Sequence, residues 1–471
     1  MKIRQLGPRY LVAIAALLPL MACGGGGSGS GGTPTPTNSA PTFSAASQSV
    51  DFAENGTGVV FTASASDPEG QAVSYSLSGT DAARFTINAS GAISFVDAPN
   101  FDMPQDSDRN NSYEFSVTAS DGRASSSLAA TVRVTNDKEG VSLSLLSHFD
   151  DPGIVVSRVN QASTLLVVKQ DGTLIRLDPA TGGQTVFGNA FNPGETGQVV
   201  AASQDRSWVF IMLQLNGSGT VVRFRHATNP SSSSPTTYLD NGVISTASGA
   251  MIWSGGYLYA ALGDPDGQLA RNPGTGFGKL FRVDFDPYCG ASLNTICLGN
   301  TMIGEGIHAP VGGFALNGQA VLFDRGTSRQ DELVYFNPAA RPLDFGWPEL
   351  EGSIGTVTNP PAAVNGPFLG LERGGAFGQA NGIVGGIVYA GGIASLNGKL
   401  IFGDISGRIF AAPAGFATDG ILHTGFETED RTEDFRPASG TLGEIRQVIA
   451  SDSGQIFVIN ATGDVFVAAG S

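Results

Sequence analysis

Hydrophobic and polar residues alternate along residues 40–139. Short apolar runs such as "GVVFTASASD", "AVSYSLSG" and "SYEFSVTASDG" are separated by turn residues, and no helical period is evident. Alternation with a period of two places the apolar side chains of each strand on one face. The pattern therefore predicts a β-sandwich over residues 40–139.

A different pattern extends from residue 140 to residue 471. A polar turn containing glycine or another small residue is followed by a continuous apolar strand, in six copies: "KQDGTLIRLD", "SQDRSWVFIML", "SGGYLYAALGD", "LNGQAVLFDRG", "LNGKLIFGD" and "SDSGQIFVIN". Continuous apolar strands are typical of sheets that are covered on both faces. Six irregularly spaced units predict a six-bladed β-propeller, so the whole chain is expected to be all-β. Seven blades remain an alternative if one unit is not recognisable.

Composition agrees with this pattern and excludes one class of partner. Charged residues make up only 14% of the 471-residue chain, which has 65 glycines and 28 phenylalanines, as expected for many turns that join short apolar strands. The formal net charge of −16 argues against nucleic acid, whose phosphates need Lys and Arg. The length favours two or more domains.

The first 39 residues indicate an anchored envelope protein. A basic "MKIRQLGPRY" precedes "LVAIAALLPLMA", an apolar stretch too short for an ordinary membrane span. The segment ending at Cys23 resembles a bacterial lipobox, which implies that residues 1–23 are a signal peptide and lipobox and that Cys23 is lipidated. Residues 24–39 form a Gly/Ser/Pro linker. We expect a bacterial cell-envelope location, anchored to a membrane by lipid and facing the periplasm or the cell surface. An ordinary secretory signal with an incidental cysteine is the alternative.

Two further cysteines, Cys289 and Cys297, lie close together in "YCGASLNTIC". In an oxidising compartment they are expected to form a disulfide that closes a short loop, and two free buried thiols are the alternative. A metal site is less favoured because it would need further Cys or His residues nearby.

Residues 40–139 carry thirteen acidic against five basic residues, and the acids cluster in turns. Such crowding is unfavourable unless a cation neutralises it, and calcium prefers carboxylate and carbonyl oxygens. The pieces "AENGTG", "SDPEG", "NFDMPQDSDRNNSYEFSVTASDG" and "VTND" resemble a bacterial cadherin-like repeat. The resemblance implies calcium ligands at Glu54, Asp102, Asp106, Asp108, Asn136 and Asp137. Solvated acidic loops are the alternative. Some sites could be incomplete because only one repeat is visible, whereas cadherin sites lie between successive repeats.

Motifs of residues 140–471 suggest a second family. In order, "GGYLYAALGD", "GKLFRVD", "DELVYFNPAARPLDFGWPELEGS", "GIVGGIVYAGG" and "GEIRQVIASDSGQIFVI" are similar to motifs of the soluble quinoprotein glucose/sorbosone dehydrogenases. Those enzymes bind pyrroloquinoline quinone (PQQ) and calcium on a six-bladed propeller. The resemblance implies oxidation of a sugar or an aldehyde on the top face of the propeller.

The catalytic and cofactor-binding positions resemble the family less closely than the motifs of the propeller strands do. The family's histidine base corresponds to Thr246, and threonine is not a base at neutral pH. The family's Arg-Asn-Pro-Gln run begins here at His308, without either amide. The family's lysine that pairs with the quinone corresponds to Ser406. Of the family's two cofactor-binding arginines, only Arg446 is kept, and Glu444 stands where the first belongs. The calcium loop is also altered, to "RGTSRQDE".

These departures predict a propeller that has lost catalysis and binds PQQ poorly. We expect a calcium-stiffened lipoprotein that binds glycan or protein in adhesion, with an active PQQ-dependent aldose or sorbosone dehydrogenase as the alternative. A purely structural module is a third interpretation. Further candidates for ligand contact are Asp264, Asp266, Arg271 and Asn272, which could equally be turn residues, and Trp253 and Trp347, which could stack on sugars or belong to the core. For Arg408, an ion pair between strands is favoured over ligand contact.

Overall fold

The structure is a computed structural model that describes residues 37–160, 164–205, 208–216, 219–226, 236–240, 248–286, 297–341, 343–351, 353–355, 365–451 and 454–470. Strands dominate these ranges, and their helical segments are four short 3₁₀ turns: Ala82–Arg84, Ala394–Leu396, Ala414–Ala417 and Gly425–Glu427. Within the described ranges, we find no helix long and apolar enough to cross a membrane. The all-β prediction is confirmed.

The N-terminal domain is a sandwich of two main sheets. The four-stranded sheet runs in the order Ser47–Ala53, Ser125–Thr135, Ser112–Ser120, Ser74–Ser78. The three-stranded sheet runs in the order Val59–Thr62, Ala92–Phe95, Phe85–Ile87, and a short pair joins Thr42–Phe43 to Ala65–Ser66. Alternation along the strands puts Tyr113, Phe115 and Val117 inside, where Phe115 contacts Phe85 with ring centroids 4.4 Å apart. Aromatic residues thus fill the core between the sheets.

The remaining strands form six four-stranded blades, numbered here along the chain and described from the inner to the outer strand. Blade 1 contains Val155–Asn160, Leu165–Val168, Thr173–Leu177 and Gln184–Asn189. Blade 2 contains Gly197–Asp205, Trp208–Leu215, Gly219–His226 and Thr236–Asp240. Blade 3 contains Gly249–Ser254, Tyr257–Leu262, Lys279–Asp286 and Cys297–Glu305.

Blade 4 contains Pro310–Leu316, Gln319–Asp324, Gln330–Phe336 and Leu369–Arg373. Blade 5 contains Ile383–Val388, Lys399–Asp404, Ile409–Pro413 and Glu429–Asp430. Blade 6 contains Ile445–Ala450, Ile456–Asn460, Asp464–Gly470 and Val141–His148. Short strands add to the edges: Leu343–Asp344 to blade 3, and Gln379–Ala380 and His423–Thr424 to blade 4. Leu350–Glu351 and Ile354–Gly355 form a separate ribbon.

The ring closes on itself in two ways. The six inner strands contact one another in sequence, and the inner strand of blade 6 returns to that of blade 1. Blade 6 combines both ends of the propeller, because Val141 pairs with Gly470 and His148 pairs with Asp464. Apolar side chains between successive blades form separate core clusters. Each of the six predicted sequence units supplies a strand to a different blade, so the six-bladed prediction is confirmed within the described residues.

Candidate functional site at the propeller channel

The inner strands enclose a channel with a cavity of about 720 Å³. Backbone and small or aliphatic side chains form most of its wall, because glycines let neighbouring inner strands approach closely. At Gly313, for example, an added Cβ would lie 2.4 Å from Cδ1 of Ile252 on the next blade. The charged residues that line the cavity are Arg325 and Arg446. We call the end of the channel where the inner strands of blades 4, 5 and 6 begin the channel mouth.

Arg325 extends from the end of the second strand of blade 4 towards blade 5. Its Nε donates a hydrogen bond to the carbonyl of Ile383 (3.0 Å), at the start of the next inner strand. Burial lowers the pKa of Arg325, and the nearby Asp331 raises it. Asp331 itself is 2.9 Å from Arg373, and no carboxylate of the described residues lies within 4.0 Å of Arg325. Arginine stays protonated in proteins, so Arg325 brings a positive charge to the channel mouth.

The residues at the positions that the resemblance assigns to the cofactor contact other residues of the protein. Arg446 Nη2 lies 3.0 Å from Glu444 Oε1, and both side chains are about half exposed. Ser406 donates its backbone N–H and its hydroxyl to Asp404 Oδ1, at 2.9 and 2.7 Å. PQQ carries carboxylates, which need cations, and these positions present a neutral ion pair and a hydroxyl. The residues at these positions therefore do not fit PQQ, and we derive no reaction step through it.

Thr246, which stands at the position of the family's histidine base, lies outside the described residues. The histidine next to the mouth, His308, is buried and fully engaged. Its Nε2 lies 2.7 Å from Thr327 Oγ1, its Nδ1 contacts the Arg325 carbonyl, and its ring packs on Trp347 with centroids 4.2 Å apart. These contacts make His308 part of the scaffold below the mouth. His148 is on the outer strand of blade 6 beside Asp464.

The loop after "YLYAALGD" is stabilised from within. Asp264 Oδ2 accepts hydrogen bonds from the backbone N–H groups of Leu269 (2.6 Å) and Ala270 (2.7 Å), and its side chain is buried. Arg271 lies 2.8 Å from Asp344 and 2.9 Å from Glu349. The two other candidate residues, Asp266 and Asn272, are exposed, and Asn272 Oδ1 caps the N–H of Gly274. Asp264 and Arg271 thus hold the loop, and ligand contact by these four residues stays a prediction.

The remaining side-chain candidates divide between core and rim. Trp347 donates its Nε1–H to the Asp264 carbonyl (2.8 Å), and Trp253 packs edge-on against Phe210 with ring centroids 5.3 Å apart. Trp253 also lines the cavity. Arg408 lies 2.8 Å from Asp430 across blade 5, the type of contact expected for an ion pair between strands. Cys289 and the side chain of Cys297 lie outside the described residues, as do Cys23 and its linker up to residue 36.

The six predicted calcium ligands fall into two groups. Asp106 accepts backbone N–H groups from Asn110 and Asn111 at 2.7 and 3.1 Å, and Asp108 is exposed within the same loop. The other four, Glu54, Asp102, Asn136 and Asp137, lie at the junction between the N-terminal domain and the propeller.

At this junction the carboxylates of Glu54 and Asp102 have partners within the protein, whereas Asp137 is exposed and contributes its backbone N–H. Glu54 accepts the N–H of Phe101 on one oxygen and of Asp137 on the other, at 2.9 and 2.8 Å. Asp102 Oδ2 lies 2.5 Å from Arg431 of the propeller. Burial raises the pKa of Asp102 to about 8, and Arg431 opposes this rise.

The guanidinium of Arg431 therefore lies beside these carboxylate oxygens. A calcium ion at the same place would need six to eight oxygen ligands around it. The donor set does not fit calcium in this arrangement. In the described part of the chain we also find no group of three or more His, Cys, Asp or Glu side chains arranged for a metal ion. Calcium binding stays a prediction.

Two functional candidates, Arg325 and Arg431, did not emerge from the sequence. Arg325 directly follows the apolar strand "AVLF" and Asp324, so its position at a strand end was a usable signal. Arg431 lies in "TEDRTEDF" among four acids, a pattern that resembles an ordinary solvated charge run. No local pattern indicates its partner, which is 329 residues away.

The comparisons agree with the two-domain architecture. Residues 38–135 match the family model of the bacterial Ig domain. The soluble aldose sugar dehydrogenase of Escherichia coli in its apo form is similar over 70% of this chain and 100% of its own, with 14% identity and a TM-score of 0.51. A glucose dehydrogenase is similar over 70% and 99%, with 16% identity and a TM-score of 0.51.

The PQQ-bound aldose sugar dehydrogenase of Streptomyces coelicolor is also similar, over 70% of this chain and 97% of its own, with 15% identity and a TM-score of 0.49. No curated protein sequence matches the chain. The chain thus joins a bacterial Ig-type domain to a propeller with the fold of the soluble sugar dehydrogenases. Identities of this size establish the fold, and they leave the activity open.

Proposed function

We propose that the protein is an envelope lipoprotein whose propeller binds a carboxylate-bearing glycan in its channel and does not oxidise sugars. The observation that carries the proposal is the ion pair between Glu444 and Arg446. It neutralises the one arginine that the resemblance assigns to the cofactor, and Ser406 stands at the position of the family's lysine. A tricarboxylate cofactor would lose its main attraction to such a site.

The choice of ligand rests on the chemistry of the channel mouth. Arg325 adds a positive charge, and no carboxylate of the described residues lies within 4.0 Å of it. Of its guanidinium nitrogens, Nε donates to the Ile383 carbonyl. A guanidinium binds a carboxylate through two parallel hydrogen bonds. A cavity of about 720 Å³ is of the size that takes a small ligand. Because the structurally similar proteins are sugar dehydrogenases, an acidic sugar is the ligand that combines these features.

The anchor and the N-terminal domain complete the proposal. A lipid on Cys23 would hold the chain at the membrane, and the Gly/Ser/Pro linker would separate the two domains from the surface. In this arrangement the Ig-type domain serves as a stalk and the propeller as its binding head. The arrangement suits adhesion to, or capture of, acidic glycans outside the membrane.

The proposal is tested by calorimetric titration of the purified full chain with uronic-acid oligosaccharides and with their neutral counterparts. We expect binding of the acidic ligand only. Arg325→Gln should weaken it by about tenfold to a hundredfold, as expected for the loss of one charge-assisted contact. Arg436→Gln, at an exposed ion pair with Glu433, is the matched control and should bind as the wild type does. Equal affinity for neutral and acidic sugars, or an unchanged Arg325→Gln variant, would contradict the proposal.

The fold of the propeller supports a second candidate, a PQQ-dependent aldose dehydrogenase of the envelope. The fold match extends over 70% of the chain, and Arg446 is still present at the channel mouth. Turnover of an aldose in the presence of PQQ separates the two candidates, because the glycan-binding proposal predicts none.

A further inference from the structure

The junction between the N-terminal domain and the propeller is built around one buried arginine. We infer that Arg431 of the propeller takes the place of the calcium ion that the acidic residues suggested, so that the N-terminal domain is fixed on the propeller without calcium. The inference is independent of the ligand proposed for the channel. It concerns the acidic residues that suggested calcium and assigns them a different cation.

Arg431 contacts carboxylates from both domains. Its Nη1 lies 2.5 Å from Asp102 and 2.7 Å from Glu139 of the N-terminal side, and its Nε lies 2.8 Å from Asp434 of the propeller. The side chains of Arg431, Asp102 and Asp434 are at most 1% exposed. Glu429 lies 3.6 Å away and is also paired with Lys399 at 2.7 Å. One guanidinium thus connects the carboxylates that would otherwise repel one another.

Neighbouring contacts hold the same two surfaces together. The backbone N–H of Asp430 donates to the Asp102 carbonyl (2.8 Å), and Asn136 Nδ2 donates to Asp434 Oδ1 (2.9 Å). Lys138 Nζ donates to the Arg436 carbonyl (2.8 Å). Together these bonds seat the segment between the domains in a defined position on the propeller.

A second element of the N-terminal domain contacts the propeller at a separate point. The guanidinium of Arg109 lies over the rings of Phe377 and Phe426, at 5.2 and 5.5 Å from their centroids. Arg109 and Asp102 belong to the same acidic loop, so this loop contacts the propeller at both ends. The docking is therefore broader than one ion pair.

Arg431 Nη1 donates hydrogen bonds to Asp102 and Glu139, and its Nη2 donates one to the hydroxyl of Ser395. Guanidinium donors lie in one plane and match carboxylate oxygens, whereas calcium requires six to eight oxygens around itself. A divalent ion brought among these side chains would meet the guanidinium at close range and be repelled. Asp102 Oδ1 and Asp434 Oδ2 lack a hydrogen-bond partner among the described residues, as does Arg431 Nε, and two oxygens do not supply such a shell.

The test uses Lys138, an exposed trypsin site in the segment between the domains. We would measure the rate at which trypsin cuts the full chain after Lys138, by following the mass of the fragments, in calcium and in a chelator. For the wild type we expect slow cleavage at the same rate in both. Arg431→Ala should be cut about tenfold faster or more, because it leaves buried carboxylates without their partner. Calcium should then slow the cleavage of this variant, since the vacated carboxylates become free to bind it.

Arg123→Ala, at an exposed turn of the N-terminal domain away from the junction, is the control and should leave the rate unchanged. Wild-type cleavage that is faster in chelator than in calcium would overturn the inference, and so would an Arg431→Ala variant cut no faster than Arg123→Ala. If Arg431→Ala does not fold, the comparison of wild-type cleavage in calcium and in chelator decides alone. Arg431→Lys keeps the charge without the planar fork, and we expect its cleavage rate to lie between those of the wild type and Arg431→Ala.

Discussion

Glu444 and Arg446 lie two residues apart where the inner strand of blade 6 begins, and their side chains form an ion pair of 3.0 Å. This pair changes the electrostatics of the channel mouth, because a cation that could hold an anionic cofactor is matched by a carboxylate. Arg325 on blade 4 keeps its charge at the same mouth. This difference is the basis of our proposal that the ligand carries one carboxylate rather than three.

Restoring the two lost cations should restore affinity for the quinone. We expect the double variant Glu444→Arg with Ser406→Lys to bind PQQ two to four decades more tightly than the wild type, since each charge-assisted contact contributes about 1.5–3 kcal/mol. Fluorescence titration with PQQ measures this gain. Glu114→Arg with Ser49→Lys makes the same charge change at exposed positions of the N-terminal domain and serves as the control. An unchanged affinity in the double variant would show that these positions do not face the cofactor.

Asp264 should matter for stability and Asp266 should not. Asp264→Ala removes the buried acceptor of two backbone N–H groups, and each unsatisfied group costs about 1–3 kcal/mol. We expect Asp264→Ala to lower the free energy of unfolding by roughly 2–4 kcal/mol. Asp266→Ala, at an exposed position of the same loop, should change it by less than about 0.5 kcal/mol. Denaturant unfolding of both variants decides between them, and equal losses would remove the assigned role of Asp264.

The general architecture could be predicted from the sequence because its signals are local. Turn-plus-strand units such as "LNGQAVLFDRG" each specify one blade strand, and the alternating pattern of "SYEFSVTASDG" specifies a half-buried strand. Asp264 illustrates the limit of this approach, since an aspartate in a turn looks the same whether it holds the turn or binds a ligand. The three-dimensional structure distinguishes the two roles through the bonds to Leu269 and Ala270.

Partners distant in sequence could not be predicted in this way. The acidic turns of the N-terminal domain suggested calcium, and nothing near Asp102 in the sequence identifies Arg431 as the group beside it. The closing pair of Val141 and Gly470 is equally invisible locally. Such contacts depend on the closed ring, which brings the ends of the propeller together.

Removing the closing strand should open the propeller. Strand Asp464–Gly470 lies between Val141–His148 and Ile456–Asn460, so its deletion breaks two of the three strand pairings of blade 6 at once. We expect a chain that ends at residue 463 to lose its cooperative thermal transition for the propeller, as measured by calorimetry. Deletion of Ser471 alone is the control and should leave the transition intact. A propeller that melts as the wild type does without the strand would contradict this view of ring closure.

The lipid anchor makes a prediction for cell fractions. If Cys23 is lipidated, wild-type protein should be in the membrane fraction, and Cys23→Ala should either leave that fraction or remain uncleaved. Fractionation followed by mass spectrometry of the N-terminus measures both outcomes. Normal signal cleavage of Cys23→Ala together with full membrane retention would exclude this anchor.

The most direct test of the central claim is a turnover measurement on the purified full chain. The chain is incubated with PQQ and calcium, and a panel of aldoses is offered with an artificial electron acceptor that changes colour on reduction. We predict no acceptor reduction above the rate with free PQQ, because loss of a general base alone typically costs a factor of about 10²–10⁴. Saturable, aldose-dependent reduction with micromolar PQQ affinity would contradict the account and identify an active dehydrogenase.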